Sequence, residues 1–167
     1  MRKFIISAFA VAAMLSGCPV ASAQTPAVET EGTSAEMPWF VSMSYGGFDF
    51  EIPAGSIVEK GSTVTVKYPD GTFGLSMVNE ETQGASQKIA FELCRRVVKQ
   101  LDIKDAHVDK RTIGGVAGAI ARGAIEDRQV TVIILPMGTN NALTTVIMAT
   151  PERANWVNNF IDSMKKN

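Results

Sequence analysis

The chain has 167 residues, 46% of them hydrophobic, with 16 basic against 17 acidic side chains, two cysteines and a single histidine. That length allows one domain with a substantial core and is short for two. The slightly acidic balance argues against a nucleic-acid or anionic-membrane surface, and one His with two Cys leaves too few ligands for a zinc site in a monomer.

Residues 1–23 read as a targeting segment. Arg2 and Lys3 form its positive start, and the apolar run from Phe4 to Leu15 is too short to span a bilayer comfortably. Two processing signals overlap in "LSGCPVASAQ". Leu15-Ser16-Gly17-Cys18 is a lipoprotein box, which would make Cys18 a lipid-bearing first residue and the only link to a membrane. Ala21-Ser22-Ala23 before Gln24 is an ordinary cleavage site. Pro19 is awkward behind a lipidated cysteine and well placed to break the apolar helix, which favours cleavage between Ala23 and Gln24. Cleavage there predicts an exported periplasmic or secreted product; retention of Cys18 predicts a lipid-anchored envelope protein. Removing residues 1–23 takes two basic side chains and no acidic ones, so the remainder carries a net charge of −3. In either case Cys94 has no disulfide partner, and the domain must rest on its core.

Residues 24–37, "QTPAVETEGTSAEM", have no hydrophobic period and read as a flexible linker, with one folded domain over 38–167. Trp39, Val41, Met43 and Tyr45 then alternate with Phe40, Ser42 and Ser44, which predicts a strand. Gly46-Gly47 turns the chain into a second strand with Phe48, Phe50 and Ile52 on one side, ended by Pro53-Ala54-Gly55. Val64, Val66 and Tyr68 lead through "PDGT" to Phe73, Leu75 and Met77, and Asp70-Gly71 tolerates the positive backbone angles of a hairpin turn. Ile89, Ala90, Leu93, Cys94, Val97, Val98 and Leu101 fall on one helical stripe, which predicts a helix from about Ser86 to Leu101.

A second block of strands follows. "AHVDKRTI" alternates weakly, while "GGVAGAIARGAIED" suits a close-packed strand or a short helix, and residues 116–125 stay open between the two. "QVTVIILPM" is nearly continuous in apolar β-formers and predicts a central strand, with "ALTTVIMAT" the next. Thr150 as cap, Pro151 at the first helical position and the apolar face of Trp156, Val157, Phe160, Ile161 and Met164 predict a closing helix ending at Lys165-Lys166. The fold class is therefore α+β, in the order β-β-β-β-α-β-β-β-α. A single antiparallel sheet of about six to eight strands carries two helices packed on it.

No catalytic constellation stands out, and no cofactor or metal is implied. His107 shares a strand face with Asp109 and Arg111, yet no nucleophile or second ligand lies at useful spacing. Cys94 lies on the helix stripe, where a thiol behaves as a small hydrophobe. Asp102, Asp105 and Asp109 lack the spacing of a calcium loop. The glycines of "GGVAGAIARGA" have no Gly-Lys-Ser/Thr ending and fit a close approach of neighbouring backbone better than a phosphate loop. Aromatic residues crowd the N-terminal strands, and Trp39, Tyr45 and Tyr68 are the candidates for a binding surface. These features predict a non-enzymatic, exported binding or adaptor module whose partner is an envelope protein or a small molecule. Two alternatives stay open: an enzyme with a cleft near His107, and a structural lipoprotein anchored through Cys18.

Four stretches carry a resemblance to a known fold: "YGGFDFEIPAG", "YPDGTFGLS", "IGGVAGAIARG" and "ATPERANWVNNFIDSMKK". Together they resemble the α/β/α sandwich of the PsbP-like superfamily over most of residues 39–166. The resemblance implies a generally non-catalytic adaptor or binding domain. It carries over no site residue.

Overall fold

The computed structural model describes residues 39–167. The expected targeting segment, the linker, Cys18 and the Ala23–Gln24 junction lie outside the described residues. The elements are β1 (Phe40–Tyr45), β2 (Phe48–Pro53), β3 (Ile57–Lys60), β4 (Thr63–Lys67) and β5 (Phe73–Glu81), followed by helix α1 (Gln87–Gln100). Strands β6 (Lys104–Ile113), β7 (Val116–Ile125), β8 (Arg128–Met137) and β9 (Asn141–Ala149) come next. A 3-10 turn (Pro151–Arg153), helix α2 (Ala154–Ser163) and the two-residue strand β10 (Lys165–Lys166) close the chain.

The expected antiparallel sheet has seven strands in the order β3-β4-β5-β9-β8-β7-β6. Residues 116–125 are a strand. Two features go beyond the sequence reading. The first two strands form a separate three-stranded ribbon, β1-β2-β10, and β3 is an additional short strand on the sheet edge. Lys165-Lys166, read as a helix end, instead pairs with Asp49 and Phe48 of β2.

Alternation along the central strands explains the layers. On β8, Val130, Val132 and Ile134 face α1, packing with Cys94, Val97 and Ala121. Ile133 and Leu135 face the other way, towards Phe48, Phe50, Phe73 and Phe160. A strand buried on both faces must be apolar throughout, which is why "VTVIILP" shows no polar alternation. The sheet is thus covered by α1 on one face and by the ribbon with α2 on the other. Thr145 sits in the second layer fully buried, its hydroxyl without a hydrogen-bond partner in the structure.

Local chemistry fixes the ends of these elements. The Ser86 hydroxyl accepts from the Ile89 N–H at 3.3 Å and caps α1. In the β4–β5 turn, Asp70 Oδ1 accepts from the Thr72 N–H at 2.8 Å, and Gly71 takes φ +73°. Arg153 then clips α2 to that turn. Its guanidinium reaches Asp70 at 3.5 Å and lies 4.1 Å from the centre of the Trp156 ring. Although partial burial opposes it, the Thr72 hydroxyl and N–H and the Arg153 charge hold the Asp70 carboxyl below its ordinary range.

Candidate functional site

A cleft of about 440 Å³ opens between the outer end of the β7–β8 hairpin and the first turns of α2. Its floor comes from strand register: Arg122 pairs with Thr131, and Ala124 with Gln129. Directly opposed residues in an antiparallel pair share a face, so these four side chains form one patch below the helix. Ala154, Val157 and Asn158 supply the facing wall. One Arg122 nitrogen donates to Asn158 Oδ1 at 3.3 Å, the bond that spans the cleft.

The chemistry of the lining is one-sided. Arg122 brings a permanent positive charge and a fork of donors; Gln129, Asn158 and Thr131 bring neutral amides and a hydroxyl. No carboxylate, histidine or cysteine lines the cleft, and no carboxylate pairs with Arg122 among the described residues. Such a set can orient and neutralise a small anion.

The residues singled out in the sequence are placed elsewhere. His107 lies opposite Arg122 in the β6–β7 register, one strand further out, with Nε2 3.1 Å from Asp109 Oδ1. Opposed residues share a face, so its 83% exposed side chain stands beside Arg122 on the same face of the sheet, one strand outside the residues that line the cleft. Cys94 is fully buried, and burial pushes its thiol pKa up to about 12, so thiolate chemistry is closed to it. Asp102 pairs with Lys104 at 2.7 Å on the surface. Among the described residues no three His, Cys, Asp or Glu side chains stand together as metal ligands. Glu80 is held above the ordinary carboxylate range by burial, against the Thr144 hydroxyl that donates to it at 3.2 Å.

Trp39, Tyr45 and Tyr68 occupy three settings. Trp39 precedes β1 and is 85% exposed. Tyr45 ends the same strand, and its hydroxyl donates to the Ser62 carbonyl at 3.2 Å, tying β1 to the β3–β4 turn. Tyr68 packs edge-on against Trp156, ring centres 4.9 Å apart. The glycines of β7 behave as close-approach residues. A side chain at Gly123 would meet the Lys104 carbonyl oxygen at 2.6 Å, and one at Gly118 would meet the Ile134 carbonyl oxygen.

The cleft itself escaped the sequence reading because its walls come from separate segments. A strand assignment for 116–125 would have put Arg122 on the same face as Ile120, one turn of the pleat from the core, and that was the available signal.

Comparison with one solved structure supports the same architecture. The chain is similar to the solution structure of cyanobacterial PsbP from Synechocystis sp. PCC 6803, with a TM-score of 0.53 and 13% identity over 83% of this chain and 98% of that one. A crystal structure from Bacteroides thetaiotaomicron VPI-5482 aligns at a TM-score of 0.46 and 18% identity, over 72% of this chain and 45% of that one. No family model matches the sequence, and no curated protein matches it. The fold is therefore PsbP-like.

Proposed function

We propose that this chain is an exported, non-enzymatic binding module that seats a small carboxylate-bearing molecule in the Arg122 cleft. The observation that carries this reading is the Arg122 guanidinium, which opens onto a cleft whose other hydrogen-bonding side chains are neutral and which has no carboxylate partner among the described residues. A guanidinium binds a carboxylate through two parallel charge-assisted hydrogen bonds. Thr131 and Gln129 stand beside it as additional partners, while Ala124, Ala154 and Val157 suit a short aliphatic tail. The volume falls within the roughly 300–1,000 Å³ of small-molecule sites. The PsbP-like fold adds a prior for a non-catalytic role, and a fold by itself assigns no ligand.

Calorimetric titration with acetate and butyrate tests the site. Saturable binding is expected for the unmodified chain, weakened roughly tenfold or more in Arg122→Gln, in keeping with loss of a charge-assisted contact. Arg122 is surface-exposed with one long bond, so the variant should keep its fold. Equal binding by both proteins, or by neither, would rule the site out.

Export rests on residues 1–23 and has its own check. Mass spectrometry of the protein recovered from cells should find a chain beginning at Gln24. An acylated Cys18 would turn the reading to a lipid-anchored module, and an intact Met1 would remove export altogether.

A further inference from the structure

His107 is the chain's single histidine, and it lies directly opposite Arg122 in the β6–β7 register. Opposed residues share a face with their β-carbons about 5 Å apart. A histidine changes its charge between about pH 5 and pH 8, whereas a guanidinium never does. What the His107 proton does to a ligand on Arg122 depends on the other charges nearby.

On its own strand, His107 Nε2 donates to Asp109 Oδ1 at 3.1 Å. Asp109 stands opposite Ile120 and Arg111 opposite Gly118, so both lie further along the same face, past Arg122. On the other side Lys104 stands opposite Ala124 and is held by Asp102 at 2.7 Å, while Asp105 falls within the register slip. The one charged residue of α2 is Asp162, a turn beyond Asn158. Arg153, just ahead of α2, is taken up by Asp70 and Trp156. Glu80, which burial holds above the ordinary carboxylate range, bonds Thr144 and stands opposite Ala142 on the far face of the sheet, towards α1.

With His107 neutral, Asp109 leaves an unbalanced negative charge beside Arg122, which opposes a second anion there. A neutral ring that gives its Nε2 proton to Asp109 also keeps Nδ1 as an acceptor. Protonation balances Asp109 and turns Nδ1 into a donor. Both changes favour a negative ligand. Given a carboxylate seated on Arg122, as proposed above, we infer that His107 makes this cleft an acid-strengthened anion site, one that holds its ligand more tightly as the pH falls from about 8 to about 6. By reciprocity the ligand favours the charged imidazole, so binding takes up a proton. The gain is modest, because a side chain 83% exposed acts through solvent.

Calorimetric titration of the untagged protein with butyrate, at about pH 8 and about pH 6, tests this with a ligand ionised at both. The dissociation constant should fall roughly threefold or more at the lower pH. His107→Gln should bind like the unmodified chain at the higher pH and show no gain at the lower. Proton NMR of the single histidine ring supplies a reading without a variant: its titration midpoint should move to higher pH in saturating butyrate. Equal affinity at both pH values, a gain that survives His107→Gln, or a midpoint that butyrate leaves in place overturns the role of His107 and leaves the carboxylate site standing. No saturable binding at either pH overturns both.

Discussion

Phe160→Ala is expected to destabilise the fold by about 3–5 kcal/mol, the range for removing a large aromatic from a packed core. Phe160 is fully buried on α2, with its ring centre 5.1 Å from that of Phe50 on β2. It sits where helix, ribbon and main sheet meet, beside Ile133, Leu143 and Ile147. Few neighbours can collapse into the space, because the strands that carry them are fixed by hydrogen bonding on both sides. Domains of this kind hold only about 5–15 kcal/mol in total, so the loss is a large share of the whole. Urea denaturation measures it: the midpoint should fall sharply while the slope stays unchanged. A loss below about 1 kcal/mol would mean that this layer is not packed as described.

The second large effect is expected at Gly118, where a single methyl group has no room. A β-carbon there would press on the Ile134 carbonyl oxygen and come within 2.7 Å of Leu135 Cδ2. The obstacle is backbone of the adjoining strand β8, which cannot swing aside as a side chain can. Gly118→Ala should therefore cost about 1–3 kcal/mol, the usual penalty for overpacking, although alanine lowers the entropy of the unfolded chain. Gly61→Ala is the matched control. Its nearest obstacle is the Thr63 carbonyl oxygen at 3.8 Å, and its change should stay within about 0.5 kcal/mol. Equal midpoints for the two variants would contradict the close approach of β7 to β8.

These two positions also show what could be read from the chain alone. Phe160 was legible, because Trp156, Val157, Phe160 and Ile161 recur at helical spacing and mark one buried face. The β4–β5 hairpin was legible as well, since Asp70-Gly71 stands between two runs of alternating apolar residues. Gly118 was half legible. Its neighbourhood is so rich in alanine and glycine that neither a helical nor a strand period emerges, yet the need for close approach could be named. Strand β3 was hidden for another reason. Ile57-Val58-Glu59-Lys60 is too short to show a period, and its place is set by pairing Val58 with Val66 across the edge.

The ribbon illustrates a different limit. Local pattern predicts that β1 and β2 pair, and they do, in register from Phe40–Pro53 to Tyr45–Phe48. Nothing local says that this hairpin leaves the main sheet and lies over it. That choice is made by Phe48, Phe50 and Ile52, which bury against α2 and the inner face of the sheet. The candidate site was least legible of all. Arg122 came from the one ambiguous segment, and Asn158 lies on the polar side of a helix read for its apolar one. Only the folded chain brings them within 3.3 Å.

The central claim, a binding cleft built around Arg122, is tested most directly by a two-dimensional amide NMR titration with butyrate. Binding in the cleft predicts saturable shifts confined to Arg122, Ala124, Gln129, Thr131, Val157 and Asn158, absent in Arg122→Gln. Shifts that never saturate, or that cluster away from these residues, would contradict it.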